Sequence, residues 1–172
     1  MTPASDWPRQ LSSPQGALIS IEVRGDLEIL MSRIFDAPPA LVFAAHTEPE
    51  HLKNWWGRRG SILTVCEVDL RPGGKWRFVS LDADGNEYAF NGEFREIDPP
   101  HRLVQTFIFE PMPEMMAVDH YSFEDIGNGQ TKLTTVSVFD SKEGRDGLLG
   151  NGMEEGATEI WDRLAELLVT IK

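Results

Sequence analysis

Histidines and acids that crowd together are the first residues in this chain to test for chemistry. His46, Glu50 and His51 are close in sequence, and such side chains hold zinc or another divalent metal. Their spacing is not His-Glu-x-x-His, and a turn intervenes, so the imidazoles need not converge; solvated or capping histidines satisfy the pattern. Asp119, His120 and Ser122 supply the acid, base and nucleophile of a hydrolytic triad. Alternation along a strand, however, puts His120 and Ser122 on one face and Asp119 on the other. Glu93 and Arg95 share a strand face as a surface ion pair would. Gly150-x-Gly152-x-x-x-Gly156 opens a helix, but it has one residue too many for a dinucleotide loop and no strand before it. Asp82, Asp84 and Asn86 lack the downstream glutamate of a calcium loop, and a polar hairpin tip accounts for them. Neither a P-loop nor a Gly-x-Ser-x-Gly elbow is present. The spacing therefore supplies no catalytic residue, metal ligand or cofactor site.

The aromatic residues say more. Trp55, Trp56, Trp76, Phe78, Phe94, Phe107 and Trp161 head a set that also holds Tyr88, Phe90, Phe109 and Phe123. They serve a generous core or a ligand-lined cavity equally well, because small-molecule pockets are built from the same residues. Arg77, Gln105, Thr106, His120, Ser122, Thr135 and Ser137 are interspersed on the same stretches and would orient a ligand if they face inward.

These residues need elements to hold them. The 172 residues are enough for one domain, and 41% hydrophobic with 26% charged residues is ordinary globular composition. A net charge of −12 argues against nucleic acid and against anionic membrane surfaces. No stretch reads as a transmembrane span, the N-terminus lacks the regions of a signal peptide, and the lone Cys66 fits a reducing interior. A cytoplasmic protein is the expectation. Residues 1–25 are rich in proline and serine and read as a partly ordered arm, with Trp7 as an apolar anchor and a strand-like alternation at Ile19, Ile21 and Val23. Residues 26–172 read as the domain proper. A strand over residues 27–34 leads to Asp36-Ala37-Pro38-Pro39, which opens a short helix burying Leu41, Val42 and Ala45. Thr47-Glu48-Pro49-Glu50 reads as a capping box for a second short helix, which stops at Gly57. About six antiparallel strands follow from Ile62 to Phe139, with Asp84-Gly85 as a two-residue hairpin turn. A glycine-containing loop over 140–150 then delivers the chain to a long helix. Met153, Ala157, Ile160, Trp161, Leu164, Leu168 and Ile171 form its apolar stripe, with Asn151 as N-cap. Glu154, Glu155, Asp162, Arg163 and Glu166 are expected to face water. Strands grouped together rather than alternating with helices predict an α+β fold.

Several motifs carry a family resemblance. They are Ile34-Phe35-Asp36-Ala37-Pro38, Pro49-Glu50-His51-Leu52, Asn54-Trp55-Trp56-Gly57 and Arg71-Pro72-Gly73-Gly74-Lys75-Trp76-Arg77, with Glu96-Ile97-Asp98-Pro99-Pro100 and Gly152-Met153-Glu154-Glu155-Gly156. Together they resemble the START-like (SRPBCC) superfamily, in the branch of the activator of heat-shock-protein-90 ATPase homologue. The resemblance implies a helix-grip (Bet v 1-like) fold. In it a curved antiparallel sheet of about seven strands holds a long C-terminal helix, with two short helices after the first strand and a cavity between sheet and helix. Two departures stand out. Arg58-Arg59 follows the tryptophans, and bulk has moved along the terminal helix from Ala157 to Trp161.

Binding of a small apolar or aromatic ligand in that cavity is the leading expectation. Its lining would be Trp55, Trp56, Trp76, Phe78, Phe94, Phe107, His120, Met153, Gly156, Ala157, Ile160, Trp161 and Leu164. A chaperone cofactor linked to stress response, or a homodimer whose surface does the work, is the alternative. A cyclase or hydrolase using His120 or Glu93 in the cavity is the third.

Overall fold

A computed structural model describes residues 8–150 and 152–171; Trp7 and the expected cap Asn151 lie outside them. Arg9–Ser12 (β1), Leu18–Arg24 (β2) and Glu28–Phe35 (β3) come first, then the helices Pro39–Thr47 (α1) and Pro49–Leu52 (α2). Ile62–Val68 (β4), Lys75–Leu81 (β5), Glu87–Asp98 (β6), Arg102–Phe109 (β7), Ala117–Gly127 (β8) and Gln130–Phe139 (β9) follow. Lys142–Gly150 (α3) and Met153–Ile171 (α4) end the chain. Among the described residues the strands form one antiparallel sheet in the order β1-β2-β3-β9-β8-β7-β6-β5-β4. The fold is α+β and of the helix-grip kind. It has nine strands rather than about seven, because residues 9–24 contribute two to the sheet. The short helices accordingly follow the third strand and carry the chain to the far edge at β4.

Alternation decides which strand residues face α4. Ile19 and Ile21 of β2, with Ile29, Met31 and Phe35 of β3, turn inward and are buried. Leu164 and Leu168 of α4 are buried too, as the apolar stripe requires. Each such large side chain contributes about 1.5–3 kcal/mol on burial, so packing rather than helix propensity holds α4 in place.

Several local expectations change. Asp162 does not face water: it is 1% exposed, and Arg33 Nη1 donates to its Oδ1 at 2.7 Å. Arg163 is half-buried, its guanidinium donating to the carbonyls of Gly57, Arg58 and Asn54. Residues 142–150 are helix rather than loop, capped by the Ser141 hydroxyl, which accepts from the Gly144 N–H at 3.0 Å. Gly144 and Gly147 are not loop signals. A β-carbon at Gly147 would crowd the Met115 methyl at 3.2 Å and one at Gly144 would press on the Ser141 hydroxyl at 3.2 Å, so these glycines let α3 start tight on its cap and lie close to the preceding turn. Thr47 caps nothing, since its hydroxyl bonds back to the Phe43 carbonyl at 3.1 Å, and α2 ends at Leu52 before Gly57 is reached. The tight turn with positive φ at both central residues is Asn128-Gly129 (57° and 72°). At Asp84-Gly85 a longer loop forms instead, in which the Asp82 carboxylate accepts from the N–H groups of Asp84 and Asn86.

Candidate functional site

Three adjacent strands build a polar floor by register alone. Gln105 of β7 stands opposite Asp119 of β8, which stands opposite Ser137 of β9. One row along come Leu103, Tyr121, Thr135 and, on β3, Met31. All point to α4, and over them remains a cavity of about 180 Å³. Trp76, Phe78 and Phe94 supply one wall, Trp55, Trp56 and His46 another, and Ala157, Ile160 and Trp161 the roof.

Of the residues expected to line this space, Trp55, Trp56, Trp76, Phe78, Phe94, Ala157, Ile160 and Trp161 are brought together around it. The others are placed differently. Phe107 shares the inner face but stacks behind the wall, 5.5 Å from the Phe90 ring and 6.0 Å from Trp76. His120 is on the outer face, where Arg102 Nη2 contacts its Nδ1 at 3.3 Å. Gly156 packs under Arg58, Met153 sits half-buried at the helix start, and Leu164 is wholly buried in the core beyond the cavity. Glu93 pairs with Arg95 at 3.4 Å with its side chain 42% exposed, so neither it nor His120 enters the cavity. Arg58 and Arg59 clasp α4 instead of standing free: Arg58 Nε donates to Glu159 at 2.8 Å, and Arg59 pairs with Glu166.

Of the polar residues lining the site, Gln105, Thr135 and Ser137 are among those the sequence offers for orienting a ligand, whereas Asp119, Tyr121 and His46 are not. The face of β8 that carries Asp119 is the inner one, and Tyr121 and Phe123 on the same stripe were the available signal. His46 follows Val42 by one helical turn, which puts it on the buried side of α1 rather than in water.

Burial sets the electrostatics. It pushes the Asp119 carboxyl up to about 6, even though hydrogen bonds from Ser137 and Tyr121 favour the charged form. Burial, with the adjacent Asp119 charge, also raises Tyr121 well above its ordinary value and keeps the phenol protonated. Burial drives His46 down to about 4, and the Val42 carbonyl offsets this only partly. That carbonyl lies 2.8 Å from Nδ1 and can only accept, so Nδ1 carries the proton and Nε2 is an acceptor. Among the described residues Nε2 is buried with no partner. The indole N–H groups of Trp55 and Trp76 are already given to the carbonyls of Ala45 (2.9 Å) and Thr106 (3.2 Å).

Asp119 therefore opposes folding as it ionises. The folded carboxyl holds its proton more tightly than the unfolded one. The cost is absent below an ordinary value of 3.8 and complete above about 6, where it amounts to about 3 kcal/mol. Asp119→Asn removes that charge at the expense of a weaker acceptor. It should raise stability at pH 7.5 by about 1–3 kcal/mol, and the gain should vanish by pH 3.5. Thermal melts at both pH values check this; a variant less stable than the parent at pH 7.5 would contradict the burial account.

At the surface Glu48, Glu50 and His51 bring one ligand atom each within 4.8 Å of one another. Both glutamates are exposed, and the Glu48–His51 approach of 3.5 Å is a contact between positions three residues apart that needs no metal.

The model of the family "Activator of Hsp90 ATPase homolog 1-like protein" matches residues 36–169. The chain belongs to that family. Its place in the START-like (SRPBCC) superfamily goes with this membership. Among curated proteins none matches. Solved structures are similar over nearly their whole length. A Rhodobacter sphaeroides protein is 24% identical, with a TM-score of 0.82 over 89% of this chain and 99% of its own. Protein Ms6760 from Mycobacterium smegmatis is 27% identical, with a TM-score of 0.76 over 88% and 98%. The AHSA1 protein of Silicibacter pomeroyi, 20% identical with a TM-score of 0.70 over 84% and 99%, shares the fold. Among the described residues no helix is long and apolar enough to cross a membrane.

Proposed function

We propose that this family member binds a small, compact, largely apolar molecule between α4 and the sheet. The carrying observation is the cavity itself, which persists at about 180 Å³ although seven aromatic side chains surround it. The space is partly open and floored by Gln105, Asp119, Thr135 and Ser137, so water can enter it, and a ligand that displaces poorly ordered water from the aromatic walls gains affinity. A cavity of about 150 Å³ takes up benzene, so the size of this one suits a single ring with a small substituent. Fatty acids and sterols need the several hundred Å³ of a full-sized pocket.

Trp55, Trp56, Trp76 and Trp161 line the space and report on its contents. Titration with benzyl alcohol should give a saturable change in tryptophan emission. Ala157→Trp, which sets an indole into the roof, should abolish that change and leave the circular dichroism spectrum intact. Unaltered binding in the variant would place the pocket elsewhere, and absence of saturation in the parent would remove the proposal.

A further inference from the structure

We propose that the ligand of this cavity is a small organic cation, an ammonium group carried on a compact apolar body, and this rests on reading the cavity as a ligand site. Three observations converge on that class. First, Asp119 is 9% exposed and lines the cavity, yet no lysine or arginine stands among the lining residues. The groups facing its carboxylate are Gln105 and Ser137 across the strands, Tyr121 beside it and the neutral His46 from α1. The helix roof contributes only Ala157, Ile160 and Trp161. A buried carboxylate is normally paired with a cation, and among the described residues none lines this cavity.

Second, the cavity holds two groups that only accept, the Asp119 carboxylate and His46 Nε2. The hydroxyls of Tyr121 and Ser137 stand beside Asp119, the Trp55 and Trp76 indoles are given to backbone carbonyls, and His46 Nδ1 to Val42. A carboxylate has about four acceptor sites, and two hydroxyls leave room for more donors. The Gln105 amide and the Thr135 hydroxyl can each donate or accept. The carboxylate and His46 Nε2, which is buried with no partner among the described residues, only accept, and an ammonium brings three N–H groups to them.

Third, the rest of the lining is a set of aromatic faces. Aromatic rings attract cations through their quadrupole, most strongly where water is excluded. Neutral donors such as alcohols draw on the acceptors alone, whereas an ammonium draws on acceptors, carboxylate and rings together. The net charge of −12 adds a field that favours the approach of cations.

Isothermal titration of the full chain at pH 7.5 with benzylamine, benzyl alcohol and benzoate separates the possibilities. These share one ring and differ in charge. Benzylamine should bind at least about tenfold more tightly than benzyl alcohol, and benzoate should not bind. Asp119→Asn should bring benzylamine down to the level of benzyl alcohol. On the unaltered protein, lowering the pH from 7.5 to 5 should weaken benzylamine about tenfold as Asp119 takes up its proton, and leave benzyl alcohol unchanged. His46, at about 4, stays largely neutral throughout. This arm remains decisive if the variant fails to fold. Benzyl alcohol binding as tightly as benzylamine, or a preference that survives both Asp119→Asn and acid, overturns the cation and leaves the cavity reading standing. If none of the three binds, both fall.

Discussion

Asp162→Ala is expected to cost about 3–5 kcal/mol. The substitution leaves the Arg33 guanidinium inside the fold, 6% exposed, without its carboxylate. Among the described residues Arg33 Nε has no partner even in the intact protein, and the remaining contact is the Phe35 ring, 4.9 Å from Cζ. Against a total stability of about 5–15 kcal/mol for a domain, this is a fifth of the margin or more. At about 2–4 °C per kcal/mol for a chain of this length, the melting temperature should fall by roughly 10 °C. Removing both partners should be far milder. Arg33→Met with Asp162→Leu replaces a desolvated ion pair by apolar packing, a change often neutral or stabilising. The two single variants and the double close a cycle that isolates the pair. A loss under about 1 kcal/mol for Asp162→Ala would mean that water reaches the pair. The pair ties β3 to α4 across 129 positions of chain, and Trp161 in the cavity roof is its immediate neighbour. The rotation of α4 that points Trp161 at the cavity and at Phe35, 5.8 Å away, is thus fixed by charge as well as by packing.

This pair also shows where the sequence stops being legible. The apolar stripe of α4 could be read because Trp161, Leu164 and Leu168 repeat at helical spacing, and each is buried. Asp162 lies beside that stripe, and only a partner on β3 turns it inward. Local periodicity contains nothing about that partner. The aromatic walls were legible for the same reason as the stripe, since large apolar groups have one favourable place to go. The polar floor was legible only in part: Gln105, Thr135 and Ser137 stand out among the strand aromatics, but Asp119 does not. On β8 both faces mix polar and apolar residues, and an acid on a strand is ordinarily assigned to water. Asp119 is carried inward by Tyr121 and Phe123 on its own face of β8, opposite Ser137 of β9. His46 was hidden differently, since one turn of a nine-residue helix gives too little periodicity to separate a buried histidine from a solvated one. The residues that break the simple inside-outside rule are those that give the cavity its chemistry.

Gly92→Ala should be as damaging as the loss of Asp162, and for a purely steric reason. Trp76 and Gly92 are directly paired between β5 and β6. The indole of Trp76 lies across the glycine so that its Nε1 reaches the Thr106 carbonyl on β7, 3.2 Å away. That carbonyl is free for the indole because β6 and β7 lose regular pairing here: the Glu93 N–H turns to the Thr106 hydroxyl at 2.8 Å. A β-carbon on residue 92 would sit 1.9 Å from the Thr106 oxygen and 2.4 Å from Trp76 Nε1. Neither the carbonyl nor a 2% exposed indole can step aside, so the strands must part or Trp76 must leave its seat. Loss of the hydrogen bond and of the indole packing together predicts about 3–5 kcal/mol, with loss of the cavity wall and of benzyl alcohol binding. Gly156→Ala is the matched control. Its β-carbon would meet only Arg58 at 3.5–3.7 Å, an ordinary contact, and an alanine within α4 gains up to about 1 kcal/mol of helix propensity. Urea unfolding followed by tryptophan emission reads both variants. If Gly92→Ala stays within about 1 kcal/mol of the parent, well below the overpacking and cavity costs expected at such a site, the indole does not cross β6. The wall of the cavity is then built some other way.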